Sequence, residues 1–203
     1  MLEYVEAKWE KQNMKEDQKR WDERYRERKL DLNQGANTIL KKYLRLLPKG
    51  KALDLAAGEG RNAIFLSEHG FKAEAVDISP LAISRAKKLA KARGVTIKAM
   101  AADLDAYPIP EGKYGVILNF YFLDRRLIPK IKRGLKKGGM VVFETYTTEQ
   151  KKLGTGGPGQ TQYLLKPNEL LRLFRGFHIL FYREGVFREG GKQRAIASLI
   201  ARK

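Results

Sequence analysis

The stretch that decides the fold is Lys51-Ala-Leu-Asp-Leu-Ala-Ala-Gly-Glu-Gly-Arg-Asn62. Its first part, Ala52 to Leu55, is a short apolar run typical of a buried strand, and a glycine-rich turn, Ala57 to Gly60, follows it. Glycine lets the backbone approach a ligand closely and adopt positive φ without strain. A helix beginning at Arg61 would offer unpaired N–H groups and a positive dipole end beside this turn. The stretch therefore predicts a strand–turn–helix unit that binds a nucleotide-type ligand.

Acidic residues follow two further strand-like runs. The stretch Ala73-Glu-Ala-Val-Asp-Ile-Ser-Pro80 predicts a strand ending in Asp77, an acid placed to accept both hydroxyls of a ribose. Asp103 follows a third run, Thr96 to Met100. Because parallel strands end at the same edge of a sheet, Asp54, Asp77 and Asp103 are predicted to line one edge.

Three motifs in this order, Leu53–Gly60, Val76–Ile83 and Ala102–Leu104, resemble those of the class I S-adenosylmethionine (SAM) methyltransferases. The resemblance runs from about Trp21 to Lys203, and the layout is most similar to the small tellurite-resistance-type enzymes. It implies a single-domain, Rossmann-like α/β fold with a doubly wound sheet, mostly parallel, that carries a C-terminal antiparallel hairpin strand. It also implies SAM as cofactor, S-adenosyl-L-homocysteine (SAH) as product, and an N-terminal helical lid (1–47) on a Rossmann-like core (48–203).

The resemblance and the chemistry of the side chains together suggest the cofactor contacts. Gly58 and Gly60 are expected against the methionine part of SAM, Asp54 near its ammonium group, and Asp77 at the ribose hydroxyls. Asn119, after the fourth strand, is expected beside the reactive methyl group. The rest of the expected cofactor-binding set lies in the lid, the turn and the adenine side of the site: Trp21, Arg24 and Tyr25; Ala56 and Asn62; Ile78, Ser79, Asp103 and Leu104.

Each of these roles has a plainer alternative. Asp54 and Asp103 are equally suited to capping helices or turns, and the lid aromatics to docking on the core. The turn Gly58-Glu-Gly-Arg-Asn-Ala63 also fits the G-x-G-x-x-G/A pattern of a nicotinamide or flavin site. A terminal hairpin is expected to follow the parallel strands, with no room for the substrate domain of such an oxidoreductase. That ending favours SAM over NAD.

Alternating helical and strand-like segments along the chain indicate a parallel sheet covered on both faces. Helices are predicted over 3–29, Asn37–Leu47, Arg61–His69, from Pro80 to before Gly94, Leu127–Lys136 and Asn168–Arg175. Strands are predicted over Ala52–Leu55, Lys72–Val76, Thr96–Met100, Tyr114–Phe120 and Met140–Tyr146. The hairpin is predicted from His178–Phe187 and Gln193–Ala201, joined by the turn Glu189–Lys192.

Composition narrows the class of protein. The chain of 203 residues has no cysteine and two histidines, so disulfides and thiolate metal sites are excluded and no metal site is predicted. The N-terminal residues include acids and lack the apolar core of a secretory signal, and no apolar run is long enough to span a membrane. A cytoplasmic protein, monomeric or weakly homo-oligomeric and without a membrane partner, is therefore expected.

The net charge of +18 allows two interpretations. The surplus lies outside the nearly neutral first thirty residues and is densest from Arg125 to Lys137. It would attract nucleic acid or an anionic substrate, or it is the solvated surface of a heat-adapted protein. The basic run has little aromatic interleaving, which does not favour a platform for single-stranded nucleic acid.

Methyl transfer requires alignment of the acceptor and exclusion of water, so no catalytic triad is expected. Candidates for acceptor contact lie after the strands: Tyr121, Arg125, Tyr146 and Arg188. The tellurite-type enzymes that the chain resembles carry a His-Arg pair where this chain has Phe187-Arg188, which argues against tellurite itself. Arg188 and Arg194 remain suited to attracting an oxyanion or a carboxylate. A small-molecule acceptor is expected, an anionic one included, and RNA or protein is the alternative.

Overall fold

The described part of the chain forms a seven-stranded sheet. The computed structural model describes residues 15–31, 34–189 and 191–203. The strands are β1 (Lys51–Leu55), β2 (Lys72–Asp77), β3 (Lys98–Ala101), β4 (Tyr114–Phe120), β5 (Leu135–Tyr146), β6 (His178–Glu189) and β7 (Lys192–Arg202). They lie in the order β3-β2-β1-β4-β5-β7-β6. Strands β1 to β5 pair in parallel, whereas β7 is antiparallel to both β5 and β6, which confirms the predicted fold class.

Helices cover both faces of the sheet. They are α1 (residues 15–26), α2 (Thr38–Tyr43), α3 (Arg61–Glu68), α4 (Pro80–Ala92), α5 (Leu127–Gly134), α6 (Gln150–Leu153) and α7 (Glu169–Leu173). Short 3-10 helices lie at Leu44–Leu46 and Thr161–Tyr163. The apolar side chains of α2, α3 and α4 pack on one face, the α3 face, and those of α5 and α7 pack on the other, the α5 face. Within the described ranges, no helix is long and apolar enough to cross a membrane.

Most predicted boundaries differ from the observed ones by a few residues, and β4 matches at both ends. The largest difference concerns β5, which was expected to begin at Met140 but begins at Leu135. The glycines that suggested a stop remain paired, because the Gly138 N–H donates to the Lys203 carbonyl (3.1 Å) and the Lys203 N–H to the Gly139 carbonyl (2.9 Å). For the same reason α5 ends at Gly134 rather than at Lys136.

The N-terminal helix prediction is covered only in part by the described residues. The helix predicted over 3–29 is observed from residue 15 to residue 26, and its first part, with Trp9, lies outside the described residues. The turn predicted over 189–192 also lies partly outside them. Helix α6, after β5, was not predicted.

The centre of the sheet sets the position of the candidate site. All seven residues of β4 are buried, as expected for a parallel strand with neighbours on both sides. Side chains alternate along β1: Ala52 faces the α3 face and Leu53 and Leu55 the α5 face, so Asp54 points to the α3 face. The order of connections reverses between β1 and β4, and the crevice beyond the carboxyl ends of two such strands is the usual ligand position in this type of sheet.

We predict that Gly60→Ala destabilises the protein far more than Gly70→Ala. Both glycines have positive φ (75° and 79°), so both substitutions incur backbone strain of about 1 kcal/mol. A Cβ on Gly60 would also lie 2.9 Å from the Ala86 Cβ, whereas a Cβ on Gly70 would meet no atom within 4 Å. Overpacking adds about 1–3 kcal/mol at Gly60. Urea unfolding followed by circular dichroism will measure the two losses; equal losses would show that contact with α4 is not what requires glycine.

Candidate functional site

The turn after β1 has an unusual backbone. Ala56, Gly58 and Gly60 have positive φ values of 50°, 56° and 75°. The turn is closed by two hydrogen bonds of 3.0 Å, from the Ala57 N–H to the Val76 carbonyl and from the Gly60 N–H to the Ala57 carbonyl. A non-glycine residue such as Ala56 in the left-handed region costs energy, and conformations of this kind concentrate at ligand sites.

Asp77 ties this turn to the end of β2. Its carboxylate is almost fully buried and accepts the backbone N–H of Gly58 at Oδ2 (2.7 Å) and that of Ser79 at Oδ1 (3.0 Å). Burial raises the pKa of Asp77, and these backbone donors oppose the rise. A carboxylate has about four acceptor positions. Two therefore remain in which this group can accept hydroxyls of a ligand.

Asp54 lies at the end of β1, and no hydrogen bond to its carboxylate is found among the described residues. It is 2% exposed. Burial raises its pKa to about 7, although the charge of Arg61 and the nearby backbone N–H of Ala63 act in the opposite direction. A buried carboxylate without hydrogen bonds is costly. The geometry therefore fits a ligand that brings a positively charged donor to this point.

The neighbouring strands end in two further unpaired polar atoms. Asn119 Nδ2 donates to the Phe122 carbonyl (2.6 Å), but Asn119 Oδ1 and the Thr145 hydroxyl have no partner in the described part of the chain. Asn119 lies opposite Phe143 in the pairing of β4 with β5, and Thr145 is two residues further along β5. Because alternate residues of a strand share a face, both side chains point to the α5 face.

Helix α1 lies over the turn. Tyr25 is 8% exposed, and its hydroxyl lies 2.6 Å from the position that a Cβ on Gly58 would take. Burial, and then the charge of Asp77, raises the pKa of Tyr25. The ring of Trp21 lies 6.2 Å from that of Tyr25, and the exposed Arg24 stacks on Trp21 at 5.1 Å. Among the predicted lid residues, Tyr25 therefore lies against the turn at Gly58.

Asp22 fixes α1 to the start of α4 and was absent from the predicted site. Its Oδ1 accepts a very short hydrogen bond from the Ser79 hydroxyl and another from the Leu81 N–H (3.2 Å). Ser79 is also the N-cap of α4, where its hydroxyl accepts the Ala82 N–H (3.0 Å). The spacing between Asp22 and Tyr25 places them on one helix face, and that spacing was the available sequence signal.

The other predicted cofactor residues differ in whether their side chains already form hydrogen bonds within the protein. Ile78 is half-buried and Leu104 is buried at the ends of β2 and β3. Asp103 Oδ1 accepts the Asp105 N–H (2.9 Å), so it caps a turn as its alternative role predicted. The buried Asn62 Oδ1 accepts the Asn37 N–H (2.9 Å), which favours a structural role for Asn62.

Two of the four acceptor candidates come together. The rings of Tyr121 and Tyr146 lie 5.3 Å apart, and the guanidinium group of Arg194 lies 5.0 Å from the centre of the Tyr121 ring. We call these three residues the Tyr–Arg cluster. Tyr121 has a φ of 58°, a strained conformation for an aromatic residue. Strained backbone concentrates at ligand sites, so this half-buried cluster next to Asn119 is a candidate binding surface.

Arg125 is engaged elsewhere. It forms a two-pronged ion pair with Glu169 (2.7 and 2.9 Å), and its other N–H groups reach the carbonyls of Gln162 (2.5 Å) and Leu164 (3.0 Å). The pair raises the pKa of Arg125 and lowers that of Glu169. These contacts hold the long loop after β5, which favours a structural role for Arg125.

Arg188 points away from the cluster. It is exposed on β6, opposite Gln193. Its neighbour Phe187 stacks with the guanidinium group of Arg183 at 4.2 Å, so Arg188 projects from the opposite face of the strand. Arg194 therefore stands where the sequence suggested Arg188.

A buried polar network next to the cluster was not predicted. Glu144 is fully buried and accepts hydrogen bonds from Asn37 Nδ2 (2.7 Å), the Ser198 hydroxyl (2.7 Å) and the Arg183 guanidinium group (3.2 Å). The network ties α2 to β5, β6 and β7. Its only sequence signal was one acid inside an otherwise apolar strand run.

Gln150 holds the glycine-rich loop, residues 154–160, against the site. Its buried amide donates to the Thr155 hydroxyl (3.0 Å) and to the Gly156 carbonyl (2.8 Å), and accepts the Ala195 N–H (2.7 Å). A Cβ on Gly157 would lie 3.7 Å from the Tyr146 ring. The loop is thus fixed beside the Tyr–Arg cluster.

Comparisons with known proteins agree with this geometry. Residues 52–139 match the family described as "Methyltransferase domain". A demethylmenaquinone methyltransferase of Thermus thermophilus is 33% identical over 128 residues, 60% of this chain and 53% of the relative. The probable SAM-dependent methyltransferase TehB of Haemophilus influenzae is 24% identical over 150 residues, 70% of this chain and 51% of the relative. The crystal structure of TehB superposes with a TM-score of 0.70 at 21% identity, covering 83% of this chain and 62% of that one.

The chain is similar in sequence and in fold to the class I SAM-dependent methyltransferases. The similarity to TehB in sequence and in fold confirms the predicted tellurite-resistance-type layout. The cofactor of this family is SAM, and the unpaired Asp54 beside a glycine-rich turn fits a ligand with an ammonium group. The chain spans about half the length, or less, of the curated relatives that it matches.

We predict that Asp54→Asn stabilises the protein above pH 7. Burial raises the pKa of Asp54 from 3.8 to about 7 in the folded state, so between these values the folded chain binds more protons than the unfolded one. The free energy of unfolding therefore falls as the pH rises through this window, by at most about 4 kcal/mol in total. Above the window the whole of this loss is present. Asp77, whose pKa burial also raises, contributes in the same direction in both proteins.

Urea unfolding at several pH values from about 4 to 8 measures this effect. The free energy of unfolding should decrease less with pH in Asp54→Asn than in the unmodified protein. Parallel curves for the two proteins would show that Asp54 is paired or solvated in solution.

Proposed function

We propose that this protein transfers the methyl group of SAM to a small-molecule acceptor. The observation that carries the proposal is the buried carboxylate of Asp54, which has no partner in the described chain and lies at the end of β1 beside the glycine-rich turn. An ammonium group of the cofactor would satisfy it. SAM itself supplies an activated methyl group, so the protein has to bind, orient and exclude water.

The remaining cofactor contacts would come from carboxylates that can accept further hydrogen bonds and from apolar side chains beside them. Asp77 would take the ribose hydroxyls with the lone pairs that Gly58 and Ser79 do not use. Gly58 would let the methionine part lie against the backbone. Ile78 and Leu104 offer apolar surfaces to adenine, and the second oxygen of Asp103 an acceptor to its amino group.

We propose that α1 acts as the lid, a narrower element than the whole N-terminal segment. Tyr25 covers Gly58, and Asp22 is fastened to Ser79, at the point where a ribose bound by Asp77 would lie. Helix α2 belongs to the core instead, since Ile39 and Leu40 are buried on the α3 face. Cofactor entry would therefore require α1 to move, and its return would exclude water.

The acceptor would bind on the Tyr–Arg cluster. Two aromatic rings with a guanidinium group stacked on one of them fit a flat acceptor that carries a negative charge. The unpaired Asn119 Oδ1 and Thr145 hydroxyl lie at the ends of β4 and β5 but point to the α5 face, so the proposed acceptor surface consists of the cluster alone. Glu144 is bound by three donors, so it is a positioning group rather than a base.

RNA or protein as acceptor has less support. Of the cations at the start of α5, Arg126 pairs with Asp105 (2.8 Å) and Asp124 (3.0 Å), and Lys130 donates to the Asp105 carbonyl (2.6 Å). With Arg125 held by Glu169, this part of the basic run is engaged within the chain. These cations are therefore already paired within the described chain, which gives less support to a polyanionic acceptor.

We predict that SAH binding releases protons and depends on Asp54 and Asp77. Pairing with the SAH ammonium would return the pKa of Asp54 toward its usual value, so binding at about pH 6.5 should expel protons. Isothermal titration calorimetry in two buffers of different ionisation enthalpy measures this release. Asp54→Asn should abolish it, and Asp77→Ala should weaken SAH binding at least about tenfold (about 1.4 kcal/mol).

Controls separate these effects from general loss of fold or charge. Asp77→Asn keeps one acceptor and should weaken binding less than Asp77→Ala. Asp105→Asn removes an exposed carboxylate outside the site and should change nothing. Binding of NAD in place of SAH by folded protein would overturn the assignment of the glycine-rich turn.

We predict that hydroxylated aromatic carboxylates are better acceptors than their neutral amides. SAH formation should be measured with a panel that includes 4-hydroxybenzoate, 4-hydroxybenzamide and a short RNA. Arg194→Gln should raise the KM for the carboxylates at least about tenfold with a smaller change in kcat, as expected for loss of a charged contact in binding. Arg188→Gln, on the other face of the hairpin, is the matched control. Product formation with RNA but with no small molecule would contradict the proposal.

A further inference from the structure

The edge of the sheet opposite the candidate site carries a row of basic side chains. Lys51, Lys72 and Lys98 are the first residues of β1, β2 and β3, and all three are exposed. Lys136 and Lys137, also exposed, follow the first residue of β5. Because these strands are parallel, their starts meet at one edge, the amino edge of the sheet.

The antiparallel strand β7 brings its C-terminal end to the same edge. Arg202 lies opposite Met140 in the pairing of β5 with β7 and is exposed. We call the six exposed residues the amino-edge row: Lys51, Lys72, Lys98, Lys136, Lys137 and Arg202. The row spans the sheet from β3 to β7, five strand spacings apart, which at about 4.8 Å each is roughly 24 Å.

The fold uses other cations at this edge but not those of the row. Lys49 donates to the His69 carbonyl (2.5 Å) after α3, and Lys203 to the Leu135 carbonyl (2.7 Å) after α5, where helix dipoles favour positive charge. Lys113 pairs with Glu74 (3.2 Å). In contrast, within the described chain no ion pair or side-chain hydrogen bond engages a member of the row. Its charges therefore have no structural partner that explains them.

Acidic residues near the edge do not neutralise the row. Glu74 is taken by Lys113, and Glu111 and Glu68 are taken by the arginines at the ends of α5 and α4, at 3.4 and 3.1 Å. The positive potential of the row is thus left to act on solvent and on partners. Such a potential attracts polyanions and accelerates their association.

We propose that the amino-edge row binds the phosphate backbone of a nucleic acid. Flexible ammonium groups in a line match a chain of phosphates, and phosphate contacts supply most of the affinity of non-specific binding. No aromatic residue lies in the row, so it reads neither bases nor sequence. A membrane surface fits less well, because binding to it uses exposed apolar side chains that insert. Among the described residues near this edge, the large exposed apolar side chain is Leu46, which is 47% exposed just before β1.

This surface is distinct from the proposed acceptor site. The seven residues of β4 separate the two edges of the sheet by roughly 23 Å at 3.3 Å per residue. A nucleic acid held by the row would anchor the protein without presenting a base to the cofactor. Binding of a nucleic acid by the row is therefore independent of methyl transfer, and binding measurements alone test it.

Fluorescence anisotropy with the full chain tests the proposal. The probes are a labelled 20-nucleotide single-stranded RNA and a DNA duplex of the same length, titrated at salt concentrations from about 50 to 200 mM. If the six cations each contact one phosphate, log affinity for RNA should fall with log salt with a slope of about −4. A similar or steeper slope is expected for the duplex, and the relative affinities identify the preferred nucleic acid.

The variants compare position with net charge. Lys51→Gln/Lys72→Gln/Lys98→Gln should weaken RNA binding at least about tenfold and reduce the slope to about −2. Lys19→Gln/Lys87→Gln/Lys88→Gln removes the same charge from exposed residues of α1 and α4 and should leave the slope unchanged. Circular dichroism and urea unfolding verify that both variants are folded, whether or not the protein binds SAH. No binding at the lowest salt, equal losses in the two variants, or equally tight binding of polyglutamate would overturn the proposal.

Discussion

The hydrogen bonds of the Asp77 carboxylate connect most parts of the candidate site. One oxygen holds the Gly58 N–H and the other the Ser79 N–H, so a single buried side chain sets the turn after β1 relative to the start of α4. Ser79 in turn caps α4 and binds Asp22 of α1. The turn, the helix and the proposed lid thus share one anchor, and each of them depends on a carboxylate that the core keeps buried.

The two other buried acids show how the same fold treats charge in two ways. Glu144 is surrounded by donors from α2, β6 and β7, and it binds the C-terminal strands to the core. Asp54 has no such partners, and burial raises its pKa to about 7. Removing one partner of a buried ion pair destabilises a protein strongly, because the other charge stays buried without compensation. The contrast between the fully bonded Glu144 and the unsatisfied Asp54 supports the proposal that Asp54 binds a ligand.

Local patterns were sufficient for the architecture and for the strand–turn–helix unit that begins with β1. The glycine-rich turn and the acids at the ends of β1 and β2 could be predicted because their spacing follows from the strand–turn–helix geometry itself. What the sequence could not show is which side chains meet across long separations. Arg194 rather than Arg188 reaches Tyr121 because of the face that each strand position presents, and Gln150 meets Ala195 across 45 positions of the chain. Arg125 looked free in the sequence, but its partner Glu169 lies 44 residues away.

The distribution of charge follows from the same sheet. At the carboxyl edge, the cations of the basic run are held by Glu169, Asp105 and Asp124, so the potential around the proposed acceptor site is set by few groups. At the amino edge, lysines begin successive strands, and none of them has an acidic partner in the part of the chain that the structure describes. The run from Arg125 to Lys137 looked like one patch in the sequence, yet α5 carries its two ends to opposite edges. The positive charges of this run are therefore paired at the carboxyl edge of the sheet and stay exposed at the amino edge.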